Sequence, residues 1–218
     1  MSPKPYPDDP TYLHDEVQWL TLRCTRLALL RSIRASREGV DVVADDPERG
    51  AKPEQKKHLA ALREAEDTLR RRIDERLAIN RQDGPALRLD TLCNRFDLDC
   101  VERQVLLLVT VPALGVELAE PLGGVGGFGF AISSITPEIV GAFLELDLNG
   151  LLVLRDVLGE SGTLVKHGLV EVEPVGRNNR VQDFVAWGLF VTEMAFDIIT
   201  GRAPSDDRHS CPTCGSPT

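Results

Sequence analysis

The stretch DCVERQVLLLVTV, residues 99–111, is almost wholly apolar in its second half. Asp99 is a suitable helix N-cap, and Glu102 stands three residues later, as in a capping box. A helix that is apolar on every side has to be buried among other elements. The stretch therefore predicts a central core helix, which Pro112 and Gly115 terminate.

The segments that follow predict shorter elements around this core helix. Thr136-Pro137-Glu138 is typical of a helix start, with a threonine cap and a proline in the first turn. Residues 151–158 predict a further short helix. Residues 168–174 alternate apolar and polar side chains and predict a strand. The turn residues 176–179 then predict a second strand or an extended arm near residues 180–184.

The segments before the core helix predict three more helices. Residues 87–96 are helix-like, with an apolar face. Leucines, isoleucine and valine recur at helical spacing over residues 11–37 and again over residues 53–82. Because the loop 39–52 between these two amphipathic helices is short, the simplest arrangement is an antiparallel helical hairpin. Asp83-Gly84-Pro85 ends the second helix, and we expect a domain boundary there.

Three helices followed by a strand pair is the order of elements in a winged helix. The predicted fold class is therefore mainly α (α+β), with an N-terminal helical hairpin followed by a winged-helix domain with a short β wing. The predicted organisation is a disordered N-terminus (1–10), the helical hairpin (11–85), a winged-helix-like domain (86–201) and a flexible tail (202–218).

The block from about residue 87 to 201 also resembles a known domain. The residues that carry the resemblance are Leu92 with Phe96-Asp97-Leu98, Glu102 before Val105-Leu106-Leu107-Leu108, Pro112-Ala113-Leu114, Thr136-Pro137-Glu138-Ile139-Val140, His167-Gly168-Leu169-Val170 and Ile198-Ile199-Thr200-Gly201. They resemble the winged-helix domain that precedes the ATPase module in a family of bacterial AAA ATPases. Only 17 residues follow Gly201, so we expect a stand-alone domain without the ATPase module.

The charge of the sequence argues against general binding of nucleic acids. The chain has a net charge of -9 and a pI near 5.0. Residues 87–201 hold 7 basic and 16 acidic side chains, and phosphate contacts need clustered lysine and arginine. The helix predicted from Pro137 to Leu146, which we place in the recognition position, carries two glutamates and no basic residue. The sequence therefore favours a winged helix that contacts protein.

Membrane insertion and export are not indicated either. No apolar run approaches the roughly 18 residues that a membrane-spanning helix needs. Residues 1–10 lack the apolar core of a signal peptide. Five cysteines, an odd number, suggest reduced thiols, and the predicted location is the cytoplasm.

The glycine-rich segment 123–129 suggests a phosphate-binding loop only at first sight. A Walker loop needs Gly-Lys-Ser/Thr at a helix start, and no lysine or arginine lies between Arg103 and Arg155. A plain flexible loop is one interpretation. The other is that Phe128 and Phe130 form an exposed anchor pair for a protein partner.

Arg70-Arg71-Arg72 belongs to the one dense basic run of the sequence. Acidic residues stand at helical spacing around it, which is typical of a solvated, ion-paired face. The alternative is that Arg70, Arg71 and Arg72 bind an acidic protein partner, such as the acidic winged helix of a neighbouring subunit.

The tail contains the one motif with metal-binding chemistry. Cys211 and Cys214 form a Cys-x-x-Cys-Gly sequence that is typical of a zinc knuckle, and His209 is a candidate third ligand. A structural zinc needs a fourth ligand, which a second chain or a partner would have to supply. The alternative is a disordered tail without metal. Cys24, Cys93 and Cys100 lie on apolar faces, and we expect them in the core.

No cofactor other than this zinc and no catalytic residue is indicated. No spacing of serine, cysteine or histidine suggests an activated nucleophile, so we expect no enzyme. The sequence favours a non-catalytic adaptor or assembly component that works through protein contacts. The resemblance implies that its partner is a AAA ATPase or the large complex that such an ATPase serves, for instance a bacterial contractile injection system. The alternative is a DNA-binding transcription regulator with the hairpin as its dimeriser.

Overall fold

Two long helices form an antiparallel pair in the computed structural model, which describes residues 3–36, 48, 51–115, 122–125, 135–174, 184 and 187–202. They are α1 (Asp9–Ala35) and α2 (Pro53–Asp83). Contacts run in opposite directions along them, since Arg23 pairs with Glu66 while Glu16 pairs with Arg70. The predicted helical hairpin is therefore formed within one chain.

The segment before α1 differs from the predicted disordered N-terminus. Tyr6 is fully buried against the hairpin. Its backbone N–H donates to Asn80 Oδ1 at 2.6 Å, and its hydroxyl donates to Asp15 Oδ2 at 2.9 Å. An aromatic ring gains too much by burial to stay in solvent when a polar partner is also available for its hydroxyl. The ordered part of the chain thus begins before residue 10.

The rest of the described chain includes six helices and two strands with defined bounds, and residues 122–125 are helical as well. These are α3 (Arg88–Arg95), α4 (Cys100–Leu114), α5 (Pro137–Phe143), α6 (Leu148–Val157), α7 (Thr163–Lys166), β1 (Val170–Pro174), β2 (Trp187–Val191) and α8 (Glu193–Thr200). The capping box of α4 is present, since Asp99 Oδ1 accepts from the Glu102 N–H at 2.8 Å. Residues 105–111 of α4 are all buried, as predicted for the core helix.

The two strands pair antiparallel, with Val170 opposite Val191 and Val172 opposite Leu189. Ile135 adds an isolated bridge, because its carbonyl accepts from the Leu189 N–H at 2.7 Å. The sequence predicted a second strand or an extended arm near residues 180–184, and residues 180–183 lie outside the described residues. The second strand that the structure describes is Trp187–Val191, which places the buried Leu189 against α4.

From α4 onward the order of the main elements is helix, isolated bridge, helix, turn, helix, the one-turn helix α7, strand and strand. This is the arrangement of a winged helix, with α4 as its first helix, α5 and α6 as its helix-turn-helix and β1–β2 as its wing strands. The predicted fold class, a mainly helical α+β fold with a helical hairpin and a short β wing, is confirmed. The division of the chain at residues 85 and 86 stays a prediction.

Candidate functional site

The turn between α5 and α6 determines which helix faces outward. The Glu145 N–H donates to Ala142 O and the Leu146 N–H to Gly141 O, at 3.3 and 2.9 Å. These two bonds form a Schellman motif, in which Glu145 adopts the left-handed region with φ 54°. Asp147 then caps α6 by accepting from the Gly150 N–H at 2.8 Å.

The helix in the recognition position is α6, whereas we placed it at residues 137–146 from the sequence. Most of that predicted segment is α5, which packs into the core through the fully buried Ile139, Val140 and Phe143. The sequence prediction was wrong because it counted helices from α3, which lies outside the helix-turn-helix and packs on α8.

An apolar face of α6 is open to solvent. Leu148, Leu152 and Val153 are 74%, 55% and 58% exposed, whereas Leu154 on the inner side is fully buried. Leu148 and Leu152 are four residues apart and adjoin on the helix surface. Single exposed apolar residues are common on soluble proteins, but a contiguous group on one helix is typical of an interaction site. We call Leu148, Leu152 and Val153 the α6 face.

The charge around the α6 face is acidic. Residues 136–162 contain five acidic side chains and one basic side chain, Arg155. Arg155 stands next to Asp156, and both are exposed. On β1 the exposed side chains include Glu171 and Glu173. A surface of this sign repels a phosphate backbone.

The helical hairpin is anchored to the helix-turn-helix by arginines of α1. Arg26 bonds to Glu66 of α2 at 2.7 Å and to Glu145 at 3.0 Å. Arg23 donates to Glu66 at 2.9 Å and to the Phe143 carbonyl at 2.8 Å. The left-handed residue at the end of α5 therefore directs its carboxylate to the hairpin, and the two parts of the chain pack together.

A second, buried charge cluster joins α1, α2 and α4. Glu16 is 1% exposed and accepts from Arg70 at 2.9 Å and from Arg103 at 2.8 Å. Arg103 also donates to the Tyr12 hydroxyl. Burial raises the pKa of Tyr12 well above its usual range, and the Glu16 charge adds to this rise although Arg103 opposes it. The cluster is structural, since each charge faces a partner of opposite sign.

The structure places two of the three predicted partner-binding arginines in ion pairs within the chain. Arg70 bonds to Glu16 and Asp74, and Arg72 bonds to Asp15 at 3.1 Å. Arg71 lies on the outer face of α2 and bonds weakly to its own helix. Binding of an acidic partner by these arginines stays a prediction.

The other predicted site residues lie outside the described residues. These are Phe128, Phe130, His209, Cys211 and Cys214. Within the described ranges, no group of histidine, cysteine, aspartate and glutamate is arranged to hold a metal ion. The zinc prediction for the tail is therefore untested.

The three cysteines of the described chain are free thiols in different environments. Burial raises the pKa of Cys24 to about 12 and that of Cys93 to about 11, so both are neutral core residues as expected. Cys100 is exposed, contrary to expectation. It is the first residue of α4, where the helix has not yet entered the core.

Acidification is expected to destabilise the contact between Glu145 and the hairpin. Burial alone raises the pKa of this carboxyl, but the hydrogen bond and charge of Arg26, with the charge of Arg23, hold it below its usual value of 4.5. A pKa that is lower in the folded chain stabilises the fold above the unfolded pKa and loses this effect as pH falls through the folded pKa. The free energy of unfolding, measured by denaturant titration, should therefore fall between about pH 5 and pH 3. Glu145→Gln should flatten this dependence and Asp156→Asn should not, whereas equal curves for wild type and Glu145→Gln would contradict the assignment.

A family model described as a winged helix domain, variant, matches residues 1–208. The chain belongs to this winged-helix family. The match includes the hairpin, so α1 and α2 belong to the matched region together with the helix-turn-helix. Searches of curated proteins and of solved structures returned no match. No helix among the described residues is long and apolar enough to cross a membrane.

The α6 face is the feature that sequence reasoning missed in this winged helix. Leu-Asn-Gly-Leu-Leu-Val-Leu, residues 148–154, is apolar on both sides of the helix. Such a run is ordinarily interpreted as a buried helix. The signal in the sequence was that residues 148–154 contain more apolar side chains than one buried helix face needs.

Proposed function

We propose that this winged-helix protein is a non-catalytic adaptor that binds another protein through the α6 face. The observation that carries the proposal is that the helix in the recognition position presents Leu148, Leu152 and Val153 to solvent. A helix that reads DNA instead presents arginine, lysine, asparagine or glutamine to base edges and phosphates.

The surroundings of the α6 face support a protein partner. Exposed side chains of α6 other than the apolar ones include Asn149, Arg155 and Asp156, which together carry no net charge. An apolar centre with a polar rim is the usual anatomy of a protein interface. A surface with five acidic residues and one basic residue repels the phosphates of duplex DNA instead of attracting them.

The partner we propose is a AAA ATPase, or the large assembly that such an ATPase serves, for instance a contractile injection system. The support is the sequence resemblance of residues 87–201 to the domain that precedes the ATPase module in bacterial AAA ATPases. We place the complex in the cytoplasm, in keeping with the free thiols of the described residues. An adaptor with this fold would bring its hairpin, anchored at Glu145, to the complex as a rigid arm.

Leu152→Asp should abolish the interaction without unfolding the protein. The tagged wild-type chain, purified gently from its native host, is expected to retain a AAA ATPase or subunits of one assembly in near-stoichiometric amounts by mass spectrometry. The amount of partner recovered with the variant should be at least about tenfold lower than with the wild type. The reason is that the aspartate charge would be buried in an apolar interface without a counter-charge. Its melting temperature should stay close to that of the wild type, because Leu152 is 55% exposed.

Met194→Asp on α8 is the matched control. Met194 is 49% exposed and lies on another helix, so the same apolar-to-acidic change there should leave the recovery unchanged. Equal recovery with Leu152→Asp and wild type would contradict a role for the α6 face. Recovery of duplex DNA that survives a salt wash, without a protein partner, would favour a transcription regulator.

A further inference from the structure

A cavity of about 530 Å³ lies between α1 and the helix-turn-helix, apart from the α6 face. Its apolar lining comes from Leu27 and Leu30 of α1, Ala142 of α5, and Leu146 and Leu151 at the turn and on α6. The volume is enough for several aliphatic side chains and is within the range of ligand-binding clefts.

The two sides of this cavity carry charges of opposite sign. Arg31 and Arg34 line it from α1, Glu138 lines it from α5, and Glu145 lines it from the turn that follows α5.

Of these four charges, that of Glu145 is compensated within the chain, whereas Arg31 is bound by a neutral acceptor. Arg31 donates to the Val125 carbonyl at 2.6 Å, and Glu145 bonds to Arg26. Arg34 and Glu138 are exposed, and neither has an ion-pair or hydrogen-bond partner among the residues that the structure describes. Among the described residues, the groove thus presents two uncompensated positive charges, Arg31 and Arg34, and one uncompensated negative charge, Glu138, on opposite sides of its apolar lining.

We propose that this groove binds a short amphipathic α-helix of a protein partner, with aliphatic side chains on its inner face. One flank of that helix carries an acidic residue that pairs with Arg34, and the other flank carries a basic residue that pairs with Glu138. An apolar helix face with anchors at i, i+3, i+4 and i+7 is the common occupant of such a groove. The opposite charges of the two sides select a helix with mixed flanks over one with flanks of a single sign.

The test uses three synthetic 15-residue helical peptides with the same leucine stripe. One has an acidic and a basic flank, one has two basic flanks and one has two acidic flanks. Turning the peptide end to end in the groove exchanges the sides that its two flanks face. The mixed peptide therefore matches the charges of the groove in one of its two orientations. The full chain should bind the mixed peptide about fivefold more tightly than either of the others, measured by fluorescence anisotropy.

Charge reversal on each side should change the preference among the peptides. Arg34→Glu leaves Arg31 on the α1 side and adds a negative charge there, so this side has no net charge. The variant should therefore lose the preference for the mixed peptide over the peptide with two basic flanks. Glu138→Lys makes both sides basic and should prefer the peptide with two acidic flanks. Lys57→Glu, the same charge change at an exposed position of α2, is the control and should keep the wild-type preference.

A steric variant separates occupation of the groove from attraction by surface charge. Ala142→Tyr places a ring in the groove and should weaken binding of the mixed peptide at least tenfold. Circular dichroism spectra and thermal melts of all variants identify any variant that fails to fold. If Ala142→Tyr does not fold, the charge-reversal variants are the test. Leu152→Asp should bind the peptides as the wild type does, so failure of the groove and failure of the α6 face are seen separately.

Two outcomes would overturn the proposal. One is a wild-type chain that binds all three peptides equally, or a charge-reversal variant whose preference does not change. The other is a concentration-dependent dimer, measured by sedimentation, that Ala142→Tyr abolishes, because the occupant of the groove would then be a second copy of the chain.

Discussion

Replacing Glu16 with alanine is expected to lower the free energy of unfolding by about 3–5 kcal/mol. Glu16 is 1% exposed and is bonded by Arg70 at 2.9 Å and by Arg103 at 2.8 Å. Its removal leaves two guanidinium groups next to each other, each partly buried and without its main counter-charge. Denaturant titration followed by circular dichroism measures the change. With a total stability of 5–15 kcal/mol for a typical domain, this change is large enough to populate the unfolded state.

Glu64→Ala is the control for this prediction. Glu64 lies on α2 and is exposed, so its replacement should change the stability by no more than about 0.5 kcal/mol. Equal stability of Glu16→Ala and wild type would show that the buried cluster gives no net stabilisation. The position of Arg103 would then be maintained by its stem, by Tyr12 and by Asp90.

Replacing Phe143 with alanine is expected to cost about 3–5 kcal/mol. Phe143 is fully buried at the end of α5. Its ring meets Trp19 of α1 edge-on, with centroids 5.9 Å apart and planes at 86°. The Arg23 guanidinium lies 5.0 Å from the same ring centroid. The substitution therefore opens a cavity at the junction of the hairpin and the helix-turn-helix and removes an aromatic pair and a cation–π contact.

Tryptophan emission monitors this junction directly, because Trp19 is one of only two tryptophans in the chain. Phe143→Ala should shift the emission to longer wavelength in the native state, since water gains access to the indole. Phe143→Leu, which keeps most of the volume, should cost only about 1–2 kcal/mol. An unchanged spectrum together with a small stability change for Phe143→Ala would mean that the hairpin is held by its ion pairs rather than by aromatic packing.

Local signals were enough to predict most of the helices. Asp99 with Glu102, and Thr136 with Pro137, begin α4 and α5 as predicted. These signals work because a cap satisfies backbone N–H groups within three residues of itself, so the information is entirely local. The hairpin followed from the spacing of apolar residues and the shortness of the loop for the same reason.

Elements whose position depends on distant partners were predicted less well. The sequence indicated a strand or an extended arm near residues 180–184, of which 180–183 lie outside the described residues. It did not indicate the described strand Trp187–Val191, because the register of that strand is set by pairing with β1 and by the bridge from Ile135 to Leu189. Tyr6 was assigned to a disordered segment, although Asn80 and Asp15 hold it. No local pattern indicates either contact, since the partners are far apart in the chain.

By itself, the sequence determined a helical hairpin, an apolar core helix and a helix-turn-helix in an acidic, aliphatic chain. These properties follow from helix caps, apolar periodicity and charge, which depend on residues that are close together in the sequence. Only the tertiary structure decided that Leu148 and Leu152 face solvent, that Glu145 joins the turn to the hairpin, and that Arg34 and Glu138 have no ion-pair partner among the described residues. The physical reason is that apolar side chains of α5 and α6 have the same local preference for burial, so the packing of the two helices in the fold decides that Phe143 is buried and that Leu152 is 55% exposed.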